Sequence, residues 1–471
     1  MDKKTIIQYY EWYQEADGQH WKRIAEDAPH LAELGFTDAW LPPAYKGYGG
    51  AKDVGYAVYD LYDLGEFDQK DTVATKYGTK DEYLEAIRVL KENGIRTMAD
   101  IVLNHRLGAD RTEDTFGTKI DKEDRNNKLK FNKSLRVWTA FDFPGRDGQY
   151  STFRWNKDHF SSVDFNALTG SSDYIFKLND HFFARKVSGE FGNYDHLMGA
   201  NVDFSRKEVV DELYRWGSWY LDFTGVESLR LDALKHITYD FYPGWLQMLR
   251  EHTGRELFTV GEYWVGNLGE LMAYLRNCGR CMSLFDVPLH FNFQHLSLAG
   301  SKACLADVLN HTLVSQDPDH AVTFVDNHDT QYDRELQSWV QGWFKPLAYA
   351  IILLREKGTP CVFYGDLYGV PSYRIAPVQG LETLLRARKE YGYGHQEDYF
   401  YFNNVIGWTR GDHMAVVLSN GDDGWMDMYL GKPGDVFVDL MGNRKEEVVI
   451  DQNGCGTFLV RSHSVSVWVR K

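Results

Sequence analysis

Apolar and polar positions follow two interleaved patterns along the chain. Short apolar runs at Ile6 to Tyr10, Phe36 to Leu41, Ile95 to Leu103, Ser228 to Asp232, Leu257 to Glu262, Met282 to Val287, Ala321 to Val325 and Pro360 to Tyr364 read as strands. Between them the spacing turns helical, most clearly over Thr79 to Asn93. There Thr79 and Glu82 form a capping box, Tyr83, Ala86, Ile87 and Leu90 line one face, and Gly94 supplies the stop. Further helices are predicted over about His20 to Leu34, with Pro29 awkward in its interior, and over Lys207 to Asp222, Trp339 to Glu356 and Leu381 to Glu390. Strands that alternate with helices in this way predict an α/β fold, a (β/α)8 TIM barrel.

Two stretches break the rhythm. Residues 105–205, after the third strand, are too long for a connection and carry short strand-like pieces and Gly/Asp/Asn turns, so an inserted domain is expected there. After about Gln396 the chain becomes β-rich, with strands at Val405 to Thr409, Met414 to Ser419, Val436 to Leu440, Glu446 to Ile450 and Ser464 to Val469 and turn signals at Asn420 to Gly424 and Asn453-Gly454. The expected organisation is a barrel built from 1–104 and 206–395, an inserted domain at 105–205 and an antiparallel β-sandwich at 396–471.

Four of the apolar runs end in charged or imidazole residues: ADIVLNH (Ala99 to His105), GVESLRLDALKH (Gly225 to His236), LFTVGEYW (Leu257 to Trp264) and VTFVDNHD (Val322 to Asp329). In the second, strand alternation sends Arg230 and Asp232 to one face. A structural salt bridge at a strand end explains that pair equally well. The functional alternative is an arginine that holds an aspartate ionised and oriented as a nucleophile. Active sites of such barrels lie at the C-terminal ends of the strands. Asp232, Glu262 and Asp329 are therefore expected to share one cleft, with Asp100, Asn104 and His105 nearby.

Composition narrows the partner. A net charge of −16, with no run of Lys and Arg, disfavours nucleic acid and anionic membrane surfaces. No apolar run has the length to cross a bilayer. The 29 Tyr, 27 Phe and 14 Trp exceed core needs, and aromatic faces in clefts suit sugar rings. Met1 to Thr5 lead straight into the first apolar run with no secretion signal, and an odd count of five cysteines suits reduced thiols, so a cytoplasmic location is expected; a trimmed secreted form would read the same way. Cys278 and Cys281 form a CxxC without the second ligand pair that zinc requires, which leaves two thiols on a loop.

With these segments, and with VGYAVYDLYDLGEF (Val54 to Phe67), YDHLMGANVDF (Tyr194 to Phe204) and WFKPLAYAIILLREKGTP (Trp343 to Pro360), the chain resembles an alpha-amylase of glycoside hydrolase family thirteen, bacterial liquefying or cytoplasmic type. The resemblance implies Asp232 as nucleophile, Glu262 as general acid/base and Asp329 as the carboxylate that grips the distorted sugar. It implies that Arg230 orients Asp232, that His105 and His328 hydrogen-bond the sugar on which Tyr56 stacks, and that Lys235, His236 and Trp264 lie on the leaving-group side. Arg230 should keep Asp232 low in pKa and burial beside other carboxylates should keep Glu262 high.

The resemblance also implies one calcium ion held by Asn104, Asp195, Asn201 and the backbone carbonyl of His236. Asn201 stands where relatives of the secreted type carry Asp, so lowered affinity or an empty site is expected. For a further metal cluster Asp164 and Asp203 match, but Ala184 and Ser205 replace carboxylates. Ser228, Leu229 and Ala57 are further departures, near the sugar-binding floor. The implied activity is retaining endo-hydrolysis of α-1,4-glucosidic bonds in starch, glycogen and maltooligosaccharides by a monomer. The alternatives are a maltooligosaccharide-forming exo-amylase, a 4-α-glucanotransferase and a catalytically silent glucan-binding protein.

Overall fold

The computed structural model describes residues 4–471, so the first three residues of the N-terminal segment and of the expected barrel range 1–104 lie outside the described residues. Eight parallel strands close into a barrel: β1 (Ile6–Gln8), β2 (Asp38–Leu41), β3 (Arg96–Ile101), β4 (Ser228–Leu231), β5 (Phe258–Gly261), β6 (Ser283–Phe285), β7 (Ala321–Phe324) and β8 (Thr359–Phe363). Each falls inside its predicted run or within one residue of it. Barrel strands are covered on both faces, which is why they read as continuous apolar runs and not as alternation. Successive strands are neighbours around the ring, and register sets Arg230 of β4 directly beside Asp100 of β3.

The helices stack outside. Lys80–Glu92 carries the predicted capping box, with Thr79 and Glu82 bonded reciprocally. His20–Leu34 runs unbroken through Pro29, because Trp21, Ile24, Ala28, Leu31 and Leu34 bury one face along its whole length. Lys207–Thr224 and Leu381–Tyr391 follow their predicted spans closely. The predicted start at Trp339 is corrected: the helix is Lys345–Leu354, with Pro346 in its first turn, where a residue without an N–H costs nothing. Helices Phe241–Thr253, Leu268–Asn277 and Val287–Ala299 were not predicted, the last because apolar residues surround it and leave no periodicity to read.

Between β3 and β4 lies a six-stranded antiparallel sheet dominated by the hairpin Arg111–Ile120 and Lys128–Ala140. Its first and last strands, His105–Arg106 and Ala200–Val202, pair with each other, so the segment leaves and re-enters the barrel at one point. After residue 395 a six-stranded antiparallel sheet and the two-stranded sheet Gly424–Tyr429 with Cys455–Val460 form the C-terminal unit. Neither of those two strands was predicted, since each begins at a turn signal and carries polar residues on an exposed face.

Candidate active site

The C-terminal ends of β3, β4, β5 and β7 bring the expected acids to one place. Asp232 and Glu262 stand one residue past their strands, and their backbone N–H groups still donate in the barrel ladder, to Ile101 O (3.0 Å) and Leu231 O (2.9 Å). Arg230 lies beneath them with its side chain 1% exposed; Nη1 donates to Asp232 Oδ1 (2.6 Å) and Asp100 Oδ1 (2.9 Å), and Nη2 to Glu262 Oε2 (3.2 Å). One guanidinium therefore bonds both acids. Asp100 forms the floor, accepting at its other oxygen from Tyr56 (2.7 Å), Trp40 Nε1 (3.0 Å) and Tyr10 (3.2 Å). The side chains of Asp232, Glu262 and Asp329 keep 11%, 13% and 20% exposure, so the trio faces the opening and Arg230 with Asp100 does not.

Ala233 takes a left-handed conformation (φ 56°, ψ 40°), costly for a residue with a Cβ, and so aims its N–H at Glu262 Oε2 (3.1 Å). Despite these two donors, burial pushes Glu262 up to about 8, opposed by Arg230 and reinforced by the charges of Asp232 and Asp329. The expectation for Asp232 is corrected: burial raises its carboxyl, and Arg230 opposes the rise without reversing it, with Asp329 adding to it. The ordering of the two acids therefore rests on geometry, since the shorter charge-assisted bond from Arg230 goes to Asp232.

His328 is neutral, because burial takes its imidazole well below the ordinary range. Gln8 Nε2 donates to its Nδ1 (2.8 Å), which puts the remaining ring proton on Nε2, 3.2 Å from Asp329 Oδ2. Tyr56 lies parallel to the His328 ring at 5.1 Å, and Trp12 continues the parallel set at 5.9 Å from Tyr56. His105 Nε2 donates to the Tyr56 carbonyl (2.8 Å), and its Nδ1 is buried without a partner. Lys235 is paired with Glu190 from the inserted segment, His236 Nδ1 donates to the Tyr194 carbonyl (2.7 Å), and Trp264 packs on His290, Phe291 and Phe324.

Three of the four expected cation ligands, Asn104, Asp195 and Asn201, converge where the inserted segment meets the barrel. Asn104 Nδ2 donates to Asn201 Oδ1 (3.2 Å), while Asn201 Nδ2 (3.0 Å) and Ser161 Oγ (2.9 Å) donate to Asp195 Oδ2. Asn104 Oδ1 is buried with no partner, and burial pushes Asp195 up to about 7. An orphaned amide oxygen beside a carboxylate strained toward its neutral form suits a hard cation with oxygen ligands. At the position of the second cluster Asp203 is bonded to His181 and Ser205, and among the described residues no group of three or more His, Cys, Asp or Glu is arranged to hold a metal. Cys278 and Cys281 are free thiols.

Asp100 and Trp12 were not assigned roles from sequence. Asp100 had a signal, since it lies in a quoted stretch and register pairs it with Arg230. Trp12 had none, because its place depends on the loop after β1 meeting the loop after β7.

A closed parallel barrel that gathers acids around a buried arginine at its C-terminal rim is a barrel enzyme working through carboxyl groups. Residues 11–398 match the family model described as "Alpha amylase, catalytic domain". The chain is 47% identical over 476 residues to an alpha-amylase of Geobacillus stearothermophilus, covering 99% of this chain and 86% of that one. It is 44% identical to a glucan 1,4-alpha-maltohexaosidase of Bacillus sp. (strain 707), covering 99% and 92%. It is 40% identical to a cytoplasmic alpha-amylase of Escherichia coli (strain K12), covering 100% and 99%. The chain belongs to the alpha-amylase family of glycoside hydrolases, whose reaction is the endo-hydrolysis of α-1,4-glucosidic bonds.

Proposed function

We propose that this chain hydrolyses internal α-1,4-glucosidic bonds of starch, glycogen and maltooligosaccharides with retention of anomeric configuration. Asp232 attacks the anomeric carbon, the bond to the departing oxygen breaks, and Glu262 delivers its proton to that oxygen. Water then displaces Asp232 from the glycosyl ester and returns a proton to Glu262. Asp329 grips the hydroxyls of the distorted sugar, with His105 and His328 beside it and Tyr56 as the stacking surface. Lys235, His236 and Trp264 stand on the leaving-group side. The observation that carries the reading is the single guanidinium bonded to both acids, which keeps them neighbours, as a retaining pair roughly 5 Å apart requires.

The test is a time course on starch with the anomeric form of the products read by proton NMR. The α-anomer first, with viscosity collapsing before reducing ends accumulate, supports the proposal; β-anomer first, or reducing ends rising in step with viscosity loss, counts against it. The relative named as a maltohexaosidase favours a second reading, an exo mode with products of defined length, which the same time course separates.

The proposed domains are the barrel, 1–104 with 206–395, the insertion at 105–205 and the β-sandwich at 396–471. One calcium ion would be held by Asn104, Asp195, Asn201 and the carbonyl of His236, where it would tie the insertion to the barrel; one carboxylate in the set makes it weak. Chelation should lower the melting temperature by on the order of 2 to 4 °C at calcium levels well above the dissociation constant. An unchanged temperature, with no calcium found by elemental analysis, would remove the ion from the proposal. A cytoplasmic location is supported by the Escherichia coli relative and by five free thiols. The chain is proposed to act as a monomer, and among the described residues no helix is long and apolar enough to cross a membrane.

A further inference from the structure

The loop after β7 carries a second arginine to the site. Arg334 Nη2 lies 3.5 Å from Asp329 Oδ1, the oxygen that His328 does not use. The same guanidinium covers the Trp12 ring, 3.3 Å from its centroid, and its Nε is buried without a partner. The loop is stitched to the one after β1: Trp12 N donates to Gln331 Oε1 (2.8 Å), Gln331 Nε2 to Glu11 Oε2 (3.1 Å), and Tyr13 to the Tyr332 carbonyl (2.7 Å). Arg334 thus stands between the third acid and the outermost ring of the Trp12, Tyr56 and His328 set. The strand order puts β7 three strands around the ring from β4, after which Lys235 lies.

We propose that Arg334 is a positioning residue for the hydrolysis, fixing Asp329 in its ionised form and holding Trp12 as the wall of the cleft on the side away from the leaving group. The inference rests on the role given to Asp329 above. Burial raises the Asp329 carboxyl, and two cations oppose the rise, Arg230 from the floor and Arg334 from the rim. The other groups in the site do not supply a rim cation: His328 is neutral, and Asp232 and Glu262 are acids. Arg230 is already bonded to three carboxylates, so Arg334 is the cation free to serve Asp329 by direct contact.

The sign follows. Removing Arg334 favours the protonated form of Asp329, so the ionised site is lost at a higher pH. For Arg334→Gln the acid limb of kcat/KM on a chromogenic maltooligosaccharide should move upward by about one pH unit, through kcat more than KM, while the alkaline limb stays in place. Arg334→Lys, which keeps the charge, should restore most of the acid limb. A partly exposed ion pair with only a structural role would leave both limbs alone. An acid limb in Arg334→Gln that superimposes on wild type, or an equal shift in the Arg334→Gln and Arg334→Lys variants, overturns the proposal. Asp329→Asn, measured alongside, separates the failures: if it retains full activity the role of Asp329 falls, and if it is inactive while the acid limb of Arg334→Gln is unmoved, only the inference on Arg334 falls.

Discussion

Glu262→Gln is expected to lower kcat for starch by about four orders of magnitude, and Asp232→Asn by a similar factor, with maltooligosaccharide affinity by calorimetry changing little. An amide in place of the Glu262 carboxyl cannot give up a proton at the moment the leaving oxygen needs it. An amide in place of the Asp232 carboxylate has no charge with which to form the glycosyl ester. Both replacements keep shape and hydrogen bonding, so the ground state still binds. The pH profile supplies a second reading of Glu262. A folded-state value of about 8 means that the acid carries its proton below that pH and loses it above, so wild-type kcat should fall as pH rises through about 8. Turnover within tenfold of wild type in either variant, or an alkaline limb near the ordinary glutamate range, would remove the assignment.

How much of this site was legible in the chain depends on which physics places each residue. The four apolar runs ending in His105, Asp232, Glu262 and Asp329 were readable because barrel strands are buried on both faces and because barrel chemistry sits where they end. Asp232 meets Arg230 as the pattern implied, and Glu262 bonds the same guanidinium, a contact the pattern did not suggest. The pKa of Asp232 was misjudged because the alternating pattern Arg230-Leu231-Asp232 displays the cation and hides the burial, and burial is the larger influence. Glu262 was judged correctly because both influences were in view. Trp12, Arg334 and the pairing of Lys235 with Glu190 were illegible, since each depends on two loops distant in sequence meeting over the barrel mouth. Strand Gly424–Tyr429 was missed for a local reason: its first residue reads as part of the turn Asn420 to Gly424, and its alternating Trp425, Asp427 and Tyr429 face solvent.

The residue with the widest reach is Arg230. Arg230→Ala should cost both stability and turnover, because Asp100, Asp232 and Glu262 each lose their shared cation while remaining buried. Breaking one buried ion pair by removing a single partner costs about 3 to 5 kcal/mol, and here three acids lose the same one. The acids would respond by binding protons, which costs less than keeping charge in a desolvated cluster. Asp232 would then be protonated at pH values where the wild-type nucleophile is charged, and activity should fall by at least the factor expected for Asp232→Asn. Stability gives the distinguishing sign. A variant whose buried acids have raised folded-state values is most stable relative to wild type at low pH and loses ground as pH rises. Urea unfolding at several pH values reads that slope. A melting temperature equal to wild type, or a deficit that grows toward acid pH, would show that the guanidinium is not what neutralises this cluster.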